Sequence, residues 1–437
     1  MPTRKRNSTR NRSRAGTVAS VLAGTLLLSG CGPADGTKTL TWYINPDAGG
    51  QADIAERCTE EAEGAYRIET SLLPSDAASQ REQLARRLAA GDSSLDIMSL
   101  DPPFIPELAE PGFLAPVPDD VAESTTQNVV EGALAGATWK DELVAIPFWA
   151  NTQILWYRKS VAEAAGLDMS KPVTWDQLID AAAEQDKYLG VQGAQAESMT
   201  VWVNALIESG GQSIIVDPEA TSDEIELALT SPAGVEAARI VSTIGDEGLG
   251  GPGLATQDEN TSMINFQGDN GSFMVNWPFV WPATNGAVEA GTLDASLIED
   301  IGWGVYPQVT EGEESAPPLG GISLGVGAAS DSPELAYEAI ECIVSPENQA
   351  EYFVTNGNPP ANTEAYEDPR IEETFPMADT IRESLEQSAP RPQTPFYNEV
   401  STGIQQTWAP PSGVNPETTP ENSTEFIISV LRGEQLL

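Results

Sequence analysis

Residues 40–44 (Leu-Thr-Trp-Tyr-Ile) are a β-rich apolar run that stops at Asn45-Pro46-Asp47 and Gly49-Gly50, the pattern of a strand ending in a turn. Amphipathic spacing then predicts a helix over 51–64 and a strand over 66–73. Ser75 or Asp76 caps a further helix that carries Gln80, Leu84 and Leu88. Residues 96–100 (Asp-Ile-Met-Ser-Leu) read as a third strand, with Asp101-Pro102-Pro103-Phe104 as its exit loop. Strands alternating with helices predict a parallel α/β sheet. In such sheets ligands collect at the carboxyl ends of the strands. Asn45, Ser75 and Asp101 each lie just past a predicted strand end and are candidates by position alone.

The second half repeats the alternation with different signals. Residues 144–150 and 153–157 form a second β-rich stretch, and Thr174 caps a helix that opens Trp175-Asp176-Gln177-Leu178. Helices are expected over 200–210 and 231–244. An apolar strand follows at 271–277, another at 320–326, a helix at 332–344, a sharp turn at 357–360 and a last helix at 423–431. No fixed-period repeat and no long low-complexity tract interrupts this order.

The first 31 residues follow another logic. Residues 1–14 are basic and polar, 15–28 are a short apolar run, and Leu28-Ser29-Gly30-Cys31 closes it. About 20 apolar residues are needed to span a bilayer, so this is the pattern of a secretory signal, with no twin-Arg pair. The Leu-Ser-Gly-Cys ending resembles a bacterial lipobox. That resemblance implies cleavage before Cys31, lipidation of that residue and a lipid-anchored chain on the outer face of the cytoplasmic membrane. An ordinary signal peptide with an incidental cysteine is the alternative. Cys58 and Cys342, both on predicted amphipathic helices, would then stand in an oxidising compartment. A disulfide between them is the favoured reading, against two buried free thiols.

Charge and composition narrow the function. The 437 residues hold 22 basic and 66 acidic side chains, a net charge of -44. Arg4, Lys5, Arg6, Arg10, Arg12 and Arg14 all precede the apolar run, which leaves 16 basic residues against 66 acidic ones. Such a surface repels phosphate backbones and anionic lipid, so nucleic acid is excluded as a partner and contact with the membrane is expected through the N-terminal lipid only. There is no histidine, which removes His-based triads, His-liganded zinc and the usual neutral-pH proton shuttle. Three cysteines without a CxxC pair leave no zinc ribbon or iron–sulfur site, and no cofactor or metal is expected. No Walker sequence occurs.

Several segments together resemble one family. They are the lipobox, LTWYINPD, SLDPPF, AIPFWANTQILWYRK, WDQL, GDNGSFMVNWPFVW, GGISLGV and SPENQAEYF. In this order they are similar to the extracellular solute-binding lipoproteins of ABC sugar importers, of the maltose-binding type. WYINPDAGGQ, QREQLARRLAAGDSSLDIMSLDPPF and RPQTPFY resemble the trehalose-binding branch found in actinobacteria. The resemblance implies a periplasmic-binding-protein-like (type II) α/β fold, with two lobes joined by crossing strands and a ligand cleft between them. Residues 1–30 would be the signal and 31–38 a tether. Lobe 1 would hold 37–148 plus 321–361, and lobe 2 would hold 149–320 plus 362–437, with crossings near 148–150, 320–321 and 359–360. The partners implied are a sugar and the membrane permease subunits of an importer, with the binding protein itself a monomer.

A pyranose offers an apolar face, which an aromatic ring covers, and a rim of hydroxyls, which carboxylate, amide and guanidinium groups bridge. Trp277, Phe279 and Trp281 follow an apolar strand with Pro278 and Pro282 interleaved, and resemble the family's sugar-stacking loop. Asp101 precedes Pro-Pro, Asn151 sits at the first crossing, and Asn45 and Gln51 flank the first turn. Glu259 lies in a polar stretch expected to be a loop, and Arg391 sits in the Pro-rich, aromatic-flanked APRPQTPFY. Gly320 and Gly321 let backbone approach a ligand or act as a hinge. With Ser75 these form the candidate ligand-binding set. Core packing, capping and ordinary ion pairs are the competing roles for each. No residue is expected to be catalytic, although a carboxylate-based glycoside hydrolase, an adhesive surface lipoprotein, and binding of a maltodextrin, a polyol or a glycerol phosphate ester are the rival functions.

Overall fold

Leu40, Trp42, Ile97 and Met98 have no exposed surface, because the first and third predicted strands lie in the middle of a sheet rather than at its edge. The computed structural model describes residues 37–437; the signal segment, Cys31 and the tether up to residue 36 lie outside the described residues. Eleven strands occur in chain order: β1 Lys38–Ile44, β2 Tyr66–Leu72, β3 Ile97–Leu100, β4 Thr138–Trp139, β5 Glu142–Leu143, β6 Ile146–Thr152, β7 Ile154–Arg158, β8 Tyr188–Gly190, β9 Gly271–Asn276, β10 Ile301–Gly304 and β11 Leu319–Gly325. They build a five-stranded sheet in the order β2-β1-β3-β11-β6, a four-stranded sheet in the order β10-β7-β9-β8, and a small β4-β5 hairpin.

The parallel sheet expected from the strand–helix alternation is corrected to a mixed one. β1 runs parallel to β2 and β3, but β11 is antiparallel to both β3 and β6. The physical reason is that β11 enters the first sheet from the second half of the chain, not through a strand–helix–strand unit. In the second sheet only β8 and β9 are parallel, while β7 pairs antiparallel with β9 and β10.

The chain leaves one sheet and enters the other within a single residue, the fully buried Gln153 between β6 and β7. The three segments expected to cross lie side by side. Gly321 stands opposite Ala150, and the Ala150 amide donates to the Pro359 carbonyl at 3.1 Å. Each sheet has its own apolar packing. Trp42, Phe148, Tyr337, Ile340 and Tyr352 fill in around the first; Trp175, Trp202, Tyr306 and Trp408 around the second. Beneath the crossing strands, Ala150, Ile154, Leu319, Phe353 and Phe375 form a third cluster.

Local signals explain the helices that place the site. Thr174 caps its helix, as the sequence predicts, and Gln177 completes a reciprocal capping box with it. Asp76, not Ser75, caps the helix Ala77–Ala89 by accepting from the Ser79 amide. Asp258 caps a helix that begins at Glu259, so the polar stretch read as a loop is a helix start. The helix expected from 200 begins at Glu197 instead. Cys58 and Cys342 are joined by a disulfide across helices Gly50–Glu61 and Pro333–Ile343, with Cα atoms 5.9 Å apart over a separation of 284 residues. Among the described residues no helix is long and apolar enough to cross a membrane.

Gly321 tests the crossing directly. Its φ is +122°, and a Cβ there would come within 2.2 Å of the Trp149 carbonyl oxygen. Gly321→Ala is therefore expected to destabilise the protein by about 2–3 kcal/mol in urea unfolding. A change below about 0.5 kcal/mol would mean that the crossing tolerates a side chain.

Candidate functional site

The carboxyl ends of β1 and β3 and the start of β11 share one edge of the first sheet, since Ser323 pairs with Leu100 and Tyr43 with Met98. That edge carries Asn45, Asp101, Gly320 and Gly321, as strand topology predicts. Asn45 donates to the Gln80 side chain at 2.8 Å, and its carbonyl accepts from Gln51 at 2.9 Å. The Asn45 Oδ1 and Gln51 Oε1 atoms are buried with no hydrogen-bond partner in the protein. Gln51 is fully buried, held by Asp47, whose carboxylate accepts from the Gly49 and Gln51 amides. Ser75 is exposed, one residue beyond the Pro74 carbonyl to which Gln80 donates at 2.7 Å.

Asp101 and Arg391, 290 residues apart, meet at 2.6 Å. Arg391 is 5% exposed and gives its other terminal nitrogen, Nη1, to Glu197 at 2.7 Å. Glu197, in the first turn of helix Glu197–Ser209, also accepts from the Tyr397 hydroxyl, from Ser401 at 2.7 Å and from Gln405 at 3.4 Å. Those three residues recur every four positions on helix Tyr397–Trp408, so one carboxylate anchors a whole helical stripe. Phe104 packs edge-on against Tyr397 with ring centroids 5.2 Å apart. Burial pushes the Asp101 carboxyl above its usual range, although Arg391 pulls the other way. Burial opposes the charge on Arg391, but Asp101, Tyr397 and Glu197 outweigh it and hold the guanidinium well above normal. The Arg391 Nε is buried without a protein partner.

Trp277 follows β9, its amide capped by the Asn276 side chain at 2.9 Å. Its ring lies over the crossing strands: a Cβ placed on Gly320 would stand 3.0 Å from it, and Gly320 pairs with Asn151. The Asn151 side-chain oxygen accepts from the Thr152 amide at 3.0 Å. Burial raises the Glu259 carboxyl, nearby Asp258 and Glu197 raise it further, and hydrogen bonding from Trp277 works against the rise. Asp101, Arg391 and Glu197 thus form one hydrogen-bonded set, and Asn276, which donates to the Glu259 carbonyl at 2.9 Å and accepts from the Trp277 amide, holds Glu259 and Trp277 together. Phe279 and Trp281 are turned differently. Both pack on the apolar cluster under the crossing strands, and Trp281 donates to the Thr374 carbonyl at 3.0 Å and meets Trp303 edge-on. A cavity of about 410 Å³ is lined by residues 390–393 together with Glu208, Ile214 and Val216. It holds no aromatic ring and, of the predicted residues, only Arg391.

Sequence reasoning missed Glu197, Tyr397, Ser401 and Gln405. The spacing of the last three was the available signal, a polar stripe on a helix next to the predicted Arg391. Glu197 carried none, because it precedes the helix expected from 200 and only the structure places it in that helix's first turn. Among the described residues no group of three acidic or cysteine side chains could hold a metal ion.

Residues 53–378 match the family described as bacterial extracellular solute-binding protein, and the chain belongs to that family. It is a binding protein and not an enzyme. A probable ABC transporter-binding protein of Deinococcus radiodurans is 24% identical over 348 residues, covering 75% of this chain and 78% of the relative. Among solved structures, maltose-bound MalE3 of T. maritima superposes with a TM-score of 0.75 at 24% identity, over 91% of this chain and all of the other. A solute-binding protein of Agrobacterium radiobacter in complex with ribitol gives 0.74 at 18% identity, over 90% and 98%. At these identities the likeness is one of fold: the mixed α/β architecture is that of the type II periplasmic binding proteins.

Proposed function

We propose that the protein captures an uncharged saccharide, with trehalose as the favoured ligand, and delivers it to the permease of an ABC importer from a lipid anchor at Cys31. The observation that carries this reading is the pairing of an aromatic face with planar polar forks. Trp277 lies over the Gly320–Asn151 crossing, and Asp101, at the strand end on the same edge of the sheet as Gly320, pairs with Arg391, which also holds Glu197. A pyranose needs both elements at once. The unpartnered Arg391 Nε, Asn45 Oδ1 and Gln51 Oε1 supply one donor and two acceptors for hydroxyls. The two sheets serve as cores of two lobes, 37–148 with 321–361 and 149–320 with 362–437, and the crossing strands act as the hinge. Closure is favoured in so far as the closed form contacts the sugar better than the open one.

A relative reported as an ABC transporter-binding protein and structural neighbours holding maltose and ribitol support the importer role and the polyhydroxylated ligand class. The trehalose assignment and the lipid anchor rest on sequence resemblance. A thermal-shift panel of mono- and disaccharides, maltodextrins and polyols tests the ligand class, since a ligand bound only by the folded state raises the midpoint. Trehalose is expected to give the largest shift. A ribitol- or maltodextrin-led ranking would replace the disaccharide, and a panel without any shift would remove the saccharide reading.

A further inference from the structure

We propose that Glu197 is a charge filter: by occupying Nη1 of the buried Arg391 while Asp101 occupies Nη2, it keeps that guanidinium from acting as an anion receptor and restricts the site to uncharged solutes. The inference rests on the saccharide reading of this site and adds a specificity determinant to it. A guanidinium with its fork free is well shaped to take a phosphate or carboxylate through two parallel hydrogen bonds. In a protein with this acidic excess, a buried Arg at the site is the one feature that could reverse the exclusion of anions.

The structure blocks that outcome. Arg391 is 5% exposed, and both terminal nitrogens are engaged, at 2.6 Å by Asp101 and 2.7 Å by Glu197. Of its five N–H groups two are taken by carboxylates; Nε is buried without a partner, and the remaining N–H on each terminal nitrogen sits beside Asp101 or Glu197, whose negative charge repels an anion approaching the fork. Glu197 is itself fixed by Tyr397, Ser401 and Gln405, so it cannot swing away to release the fork without breaking those bonds. Glu197 raises the carboxyls of both Asp101 and Glu259, against one guanidinium. A phosphorylated or carboxylated sugar would bring a further negative charge into a region that already carries an excess.

Glu197→Gln removes the charge and keeps the shape. Two probes read it: inorganic phosphate, followed by thermal melting at matched ionic strength, and titration with trehalose against trehalose 6-phosphate. Wild type is expected to show no phosphate shift. Glu197→Gln is expected to gain one, and adding Arg391→Met is expected to abolish it. The preference for trehalose over trehalose 6-phosphate should fall at least tenfold in Glu197→Gln, while Glu197→Asp, which keeps the charge, holds the wild-type ratio. Equal weakening of both sugars without a phosphate shift would mean that Glu197 is only structural and would overturn the proposal. Equal wild-type affinity for the two sugars would also overturn it. If Glu197→Gln does not fold, Asp101→Asn removes the other carboxylate from Arg391 and must show the same gain in phosphate binding. If wild type binds no saccharide, the saccharide reading fails, and the phosphate arm still decides the role of Glu197.

Discussion

Replacing Arg391 by Met is expected to lower the unfolding free energy by about 3–5 kcal/mol, the range for removing one partner from a buried ion pair. The guanidinium is nearly inaccessible, and its partners Asp101 and Glu197 expose only 18% and 24% of their side chains. Met fills much of the aliphatic volume, so the loss comes mainly from two carboxylates left facing each other without a cation. The deficit should depend on pH with a definite sign. Burial already holds the folded-state Asp101 carboxyl above its usual range, and loss of Arg391, which pulls it down, raises it further above the unfolded-chain value. The folded state then holds more protons than the unfolded state, so stability falls as pH climbs between those two values. The variant should lie closer to wild type at pH 5 than at pH 8. Urea unfolding at both pH values checks this. A deficit under about 1 kcal/mol that does not change with pH would show that the triad contributes little beyond a surface pair.

Trp277→Ala should weaken saccharide binding by roughly 10- to 100-fold, about 1.4–2.8 kcal/mol, with little change in the melting temperature of the ligand-free protein. The ring is half-buried over Gly320 and is not part of the apolar clusters. Trp281→Ala makes the contrast. That ring packs against Trp303 and donates to Thr374, so its loss should lower stability first. Calorimetric titration of both variants, together with their melting curves, separates the two rings. Unchanged affinity in Trp277→Ala would remove it from the site.

Seven of the eleven strands and seven of the eighteen α-helices among the described residues could be read from sequence because each carries a local signal, such as the β-rich run before Asn45, the Thr174 cap and the cap at Ser75 or Asp76; short strands such as Tyr188–Gly190 and helices such as Pro346–Asn356 and Tyr397–Trp408 carried none that was read. Helix starts were less legible. Glu197 and Glu259 open helices through neighbours whose polarity reads equally well as loop. The sheet direction was not legible, since β11 pairs with β3 and β6 only after the chain has returned from the second half. Of the site, Asp101 and Trp277 follow strand ends and could be placed by topology. Arg391 was visible through its rarity in an acidic chain. Its anchor Glu197 was not, because one acid among 66 has no pattern of its own until the fold sets Tyr397, Ser401 and Gln405 around it.

The most direct measurement is a crystal structure of the protein grown with trehalose. The expected density is a sugar ring against the Trp277 face, with hydroxyls in reach of Asp101, Glu259 and the Arg391 Nε. A saccharide bound elsewhere, such as in the cavity lined by Glu208, Ile214 and Val216, or a site that stays empty at saturating sugar, would contradict the account.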